Sequence, residues 1–126
     1  PKDAEDLGTK QITAAHPIAL NFALGLPPLN HLTEGAPISV RVTDGTRTLY
    51  SATLSPPTTA GTHPKLAAAI PADALDASAK ELYITLYYTR CSEGLSAVCT
   101  PAQASWKLTP SFTQAAEPSA FELTTK

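Results

Sequence analysis

The chain has 126 residues, a length that suits one domain. Its formal net charge of −2 lacks the Lys and Arg excess on which electrostatic nucleic-acid binding depends. With 43% hydrophobic and only 16% charged residues, it carries too much apolar content and too little charge for a disordered acidic chain.

Twelve prolines stand against six glycines, and there is no methionine. A chain that starts at Pro1 without methionine is expected to be a processed form or an excised domain. Residues 1–10 are polar and read as a loose N-terminal segment, with one domain over 11–126. Gln11 to Thr33 is free of charged residues. Its apolar centre, Pro17–Leu29, is shorter than the roughly 20 residues of a spanning helix. Asp3, Glu5 and Asp6 precede it, where a secretory signal would be basic. No direct membrane insertion is expected.

Strict alternation then dominates, and alternation marks half-buried strands. Ile18, Leu20, Phe22, Leu24 and Leu26 take every second position in Pro17–Leu26, and Pro27-Pro28 ends the strand. Ile38, Val40 and Val42 repeat the pattern, and Asp44-Gly45 follows as a hairpin turn leading into Thr46–Leu54. After a proline-rich loop, Ser55–Pro64, a short strand spans Lys65–Ile70. Pro71–Ala79 reads as a turn, with a helix over Ala72–Leu82 as the weaker alternative. Lys80–Arg90 is the strongest strand, with Leu82, Ile84, Leu86 and Tyr88 alternating against Tyr83, Thr85, Tyr87 and Thr89. Gln103–Thr109 follows, with Ala104, Trp106 and Leu108 on one face, and Ala120–Thr124 is the last strand. Seven to eight short strands make an all-β chain, and the expected fold is an immunoglobulin-like antiparallel β-sandwich.

Cys91 and Cys99 stand eight apart. One close pair with no third cysteine suits a disulfide in an oxidising compartment, periplasmic or extracellular. Parity places Cys91 with Tyr83, Tyr87 and Thr89, and Cys99 with Gln103, Ser105 and Lys107. Both sulfurs then leave the hydrophobic face and meet across one hairpin, provided that Pro101 introduces no irregularity. Three states are open: a bond that staples the loop, a bond that exchanges with partner thiols, or two free thiols. Arg90 beside Cys91 favours a thiolate and Glu93 opposes it. The spacing is not that of a C-x-x-C redox motif.

Other constellations are weak. His16, His31 and His63 have no partner at metal-ligand spacing and lie near prolines, so they read as exposed loop residues. No G-x-S-x-G elbow or phosphate-cradling glycine loop occurs. Asp73 and Asp76 read as solvated turn residues. Trp106 reads as core, and Tyr83 and Tyr87 as an outward face that would bind carbohydrate only if it formed a groove. No cofactor and no metal is expected.

Two resemblances bear on function. Leu26-Pro27-Pro28-Leu29-Asn30-His31-Leu32-Thr33-Glu34-Gly35-Ala36-Pro37 and the following Ile38–Val42, with Tyr87-Tyr88 ahead of Cys91, resemble the C-terminal β-sandwich of proteins that join a thioredoxin-like domain to an NHL-repeat propeller. In that family the cysteine directly follows the tyrosine pair, whereas Thr89 and Arg90 intervene here. Val98-Cys99-Thr100-Pro101, leading to Trp106-Lys107-Leu108, is similar to the N-terminal periplasmic domain of the thiol:disulfide interchange protein DsbD. There an immunoglobulin-like sandwich carries a redox-active cysteine pair on a hairpin. The first resemblance implies an exported accessory or interaction module of a thiol–disulfide redox protein, with a thioredoxin-like domain or protein as partner. The second implies a disulfide carrier in which Cys91 and Cys99 are the redox pair.

Overall fold

The computed structural model describes residues 4–13, 16–32, 36–54, 62–71, 73–75, 77–94, 96–114 and 118–125. Among them lie nine strands and no helix: β1 (Glu5–Thr13), β2 (Ile18–Ala23), β3 (Asn30–Leu32), β4 (Ile38–Thr43), β5 (Thr48–Leu54), β6 (Lys65–Ile70), β7 (Leu82–Ser92), β8 (Cys99–Thr113) and β9 (Ala120–Thr124). The first sheet runs β1-β8-β7-β4-β5, with β3 also paired to β7, and the second runs β6-β2-β9. The chain is an all-β sandwich with the immunoglobulin-like interleaving of strands: β2 and β6 share one sheet, and β4, β7 and β8 the other. Two pairings depart from the antiparallel rule, since β8 with β1 and β2 with β9 are parallel.

The alternating residues are the core. Ile18, Leu20 and Phe22 of β2 face Ile38, Val40 and Val42 of β4, Leu82, Ile84 and Leu86 of β7, and Trp106 and Leu108 of β8, and all are buried. Trp106 lies between the layers as expected. Its ring centroid is 5.6 Å from that of Phe22, and its Nε1 donates to the Thr124 carbonyl at 3.3 Å. One side chain thus contributes apolar area and ties the first sheet to β9. Regular pairing of β2 ends at Ala23, yet the alternation persists. Leu24 and Leu26 are buried, and their N–H groups donate to the carbonyls of Pro64 and Thr62 at 3.0 and 2.8 Å.

Two strands escape the hydrophobic pattern. Glu5–Lys10, expected to be loose, belongs to β1 and pairs with β8 from Trp106 onward. An edge strand needs backbone hydrogen bonds and few inward side chains; here Leu7 packs on the core and Ile12 is buried within it. Gly8, at φ 75°, accommodates the irregularity between Asp6 and Thr9. The other is β3, whose three residues are too few to show a period.

The Ala72–Leu82 helix is not formed among the described residues, although 72 and 76 lie outside them. Most of the Ser55–Pro64 loop also lies outside them.

The Asp44-Gly45 turn is held by a carboxylate. Asp44 Oδ1 accepts from the N–H groups of Thr46 and Arg47 at 2.9 and 2.8 Å, and Gly45 takes φ 100°. Those backbone hydrogen bonds, led by Arg47, hold the Asp44 carboxyl well below the usual carboxylate range. A depressed folded-state pKa gives stability that is present above the unfolded value, about 4, and is lost as pH falls toward the folded value. The melting temperature of Asp44→Asn is therefore expected to fall below wild type at pH 7. The gap should narrow below about pH 4, which thermal denaturation at several pH values checks.

Candidate disulfide site

The sheet core and the site share one register. β7 and β8 pair without a shift from Leu82↔Leu108 to Cys91↔Cys99. Just past the cysteines the Ser92 N–H donates to the Val98 carbonyl at 2.9 Å. That makes 92/98 a hydrogen-bonded pair, so Cys91/Cys99 and every second pair back along the ladder are non-hydrogen-bonded, with side chains closest together. All these pairs lie on the outer face. One is Thr85/Ser105, whose hydroxyls are 3.0 Å apart. Another is Thr89/Pro101, where position 101 has no N–H to give β7, so proline leaves the register intact.

Cys91 and Cys99 are joined by a disulfide, with Cα atoms 4.0 Å apart, as the parity of the strands predicts. Their exposure differs. Cys99 is exposed at the edge of the hairpin. Cys91 points out of the hydrophobic core but is only 4% exposed. Outward parity alone therefore does not make both residues open to solvent. The neighbour of Cys91 is β3, which runs along β7 with Asn30↔Ser92, His31↔Cys91 and Leu32↔Arg90 in register. Leu32 packs against the core, which turns His31 to the opposite face, the face of the disulfide.

His31 is thus not the exposed loop residue that its sequence context suggests. Its side chain is 32% exposed, and its Nδ1 is buried without a hydrogen bond. Glu93 Oε1 lies 3.9 Å from that nitrogen, an ion pair whenever the ring is protonated. His16 is half-buried, and His63 is exposed and bonded through Nδ1 to the Thr62 hydroxyl at 3.0 Å. Arg90 points to the core side, where it donates to Asn30 Oδ1 at 3.2 Å. Glu93 donates its N–H to the Leu29 carbonyl at 3.0 Å, and so fastens the β3 entry to the hairpin tip. Leu29 is a non-glycine residue with positive φ, at 61°. Leu29 and Val98, 69% and 62% exposed, are the exposed large hydrophobic residues among those described. They bracket Ser92-Glu93 at the disulfide end of the sheet.

The tyrosines do not make a common groove. Tyr83 donates its hydroxyl to Glu81 Oε2 at 2.8 Å, and Glu81 pairs with Lys107 at 3.3 Å. That hydrogen bond raises the Tyr83 pKa and, with Lys107, lowers that of Glu81. Tyr87 carries the Arg41 guanidinium 5.4 Å from its ring centre. It lines two open depressions, one with Pro101 and Gln103 and one with Arg41 and Ser51, neither of which includes Tyr83. No cluster of three or more metal-ligating side chains occurs among the described residues. Asp73 is an exposed turn residue, and Asp76 lies outside those described. No helix among the described residues is long and apolar enough to cross a membrane.

No protein-family model matches the chain, and no curated protein matches it with significant sequence similarity.

Proposed function

We propose that the chain is a β-sandwich module of an oxidising compartment that exchanges its Cys91–Cys99 disulfide with the thiols of a thioredoxin-like partner. The observation that supports this reading is the unequal placement of the two cysteines: Cys99 is exposed and Cys91 is covered. Exchange requires one sulfur open to in-line attack, and the exposed Cys99 offers it. The partner thiolate attacks Cys99 Sγ, a bond forms between them, and the Cys91–Cys99 bond breaks with its electron pair on Cys91. A second partner thiolate attacks its own sulfur in the mixed disulfide and releases Cys99. The partner dithiol is oxidised by two electrons, and the two cysteines are reduced and take up two protons. Leu29 and Val98 give the attacked end of the sheet an apolar rim on which a partner can seat. Export to the periplasm or cell exterior follows from the same chemistry, because a disulfide persists where thiols are not kept reduced.

A second reading has its own support. The bond closes the loop at the far end of the long β7–β8 hairpin, beyond the reach of β4. A staple there would make the module an accessory interaction domain in a larger redox protein.

The test uses a reduced thioredoxin-like protein whose second, resolving cysteine is replaced by serine. Mixed with the oxidised chain, it is expected to accumulate a mixed disulfide that peptide mapping places on Cys99. No adduct under conditions that reduce an exposed reference disulfide would exclude the proposed exchange and leave the staple; an adduct on Cys91 would overturn attack at Cys99.

A further inference from the structure

We infer that His31 is the positioning residue that receives the leaving Cys91 thiolate and supplies its proton. The inference rests on the exchange reading above, because it assigns a role in the same reaction.

Three observations meet at this position. The register places His31 directly across from Cys91 on the same face of the sheet. Side chains so placed have Cβ atoms about 4.5–5.5 Å apart. Cys91 is covered, and loss of hydration disfavours a thiolate. Attack at Cys99 therefore generates charge at the sulfur least able to hold it unaided. Finally, the His31 Nδ1 is buried and makes no hydrogen bond. Buried polar atoms are nearly always paired, and an exception calls for a reason. An imidazole paired in register with a residue whose sulfur becomes anionic only during reaction supplies one.

The surrounding charges are few among the described residues. Arg90, next to Cys91 in sequence, is turned to the core side and engaged with Asn30. Glu93 stands 3.9 Å from Nδ1. Asn30 and Leu32 on β3, and Thr100 and Pro101 on β8, carry no charge. Among the described residues, His31 is the cation-forming group on the disulfide face of this corner. The proton balance is simple: the S–S bond electrons leave on Cys91, imidazolium donates N–H to that thiolate, and the neutral ring takes a proton back from water.

The experiment has two arms. In the first, Cys91 is the only thiol, in a Cys99→Ser background, and its ionisation is followed by thiolate absorbance with and without His31→Gln. The Cys91 thiol is expected to titrate at higher pH once His31 is gone; an unchanged titration overturns the inference. In the second, the intact disulfide reacts with a small thiol, glutathione. His31→Gln is expected to slow release of Cys91 roughly tenfold, because a poorer leaving thiolate departs more slowly. The pH profile should also lose one inflection, while the melting temperature stays near that of wild type. Wild-type exchange that is fast and unaffected by His31→Gln overturns the His31 role alone. Wild-type exchange that is itself absent overturns the exchange reading beneath it. His31→Phe keeps a ring at the position paired with Cys91 but without a proton; it should behave as His31→Gln, and wild-type rates in it would overturn the role as well.

Discussion

Trp106→Ala is expected to lose about 3–5 kcal/mol of stability, the usual consequence of truncating a large buried aromatic. Trp106 is 1% exposed, stacks obliquely on Phe22 across the sandwich, and donates to the Thr124 carbonyl. The truncation leaves a cavity between the layers, removes the ring contact and strips the carbonyl of its donor. Since domains of this kind are stable by only about 5–15 kcal/mol, the variant stands near the folding threshold. Because the chain has one tryptophan, its unfolding is followed by far-ultraviolet circular dichroism in urea. A loss below about 1 kcal/mol would show that the layers do not depend on this contact. Trp106→Phe keeps most of the packing area and should fall between the two.

The second large effect concerns the disulfide as a constraint. Cys91→Ala/Cys99→Ala is expected to lose about 2–3 kcal/mol, the chain-entropy value for a ring this small. The loss should be confined to the hairpin end in hydrogen exchange, because β4 does not pair with β7 beyond Tyr87 and only three residues of β3 continue along it. The same constraint acts on the redox couple. Whatever the fold gains from the bond, it must give up on reduction. By the two-electron relation, 2–3 kcal/mol lowers the reduction potential by roughly 45–65 mV relative to an unstructured peptide of this spacing. Staple and carrier are therefore one quantity seen from two sides. A bond that contributes modestly to stability is also one that a partner dithiol can open.

The alternating runs were legible because their faces differ in chemistry. In β4, Val40 and Val42 are fully buried while Arg41 between them is exposed, and the same contrast exposes β2, β7 and β9 to a reader of the sequence. The disulfide's face followed from counting residues outward from Leu82 and Trp106, and the unshifted register preserved that count through Pro101. What the sequence concealed is what pairing decides. Glu5–Lys10 is polar because an outer strand can satisfy its backbone with little apolar surface. β3 is three residues long, so Leu32 inward and His31 outward make no visible period. That hidden strand is also why the parity of the cysteines, which gives their face, does not give their exposure. Cys91 has a neighbour remote in sequence, on β3, whereas no strand among the described residues pairs with Cys99 on its other side. A clue was present in Asn30-His31-Leu32 between a proline pair and the next strand, but only long-range pairing gives it meaning.

The central claim, that Cys91–Cys99 is an exchange site, is tested most directly by its reduction potential. The chain is equilibrated against thiol–disulfide buffers, and the oxidised fraction is read after acid quenching. The account predicts a potential above about −300 mV, in the range of labile and catalytic disulfides. A potential well below that value, with no reduction by a protein dithiol, would make the bond a staple and contradict the account.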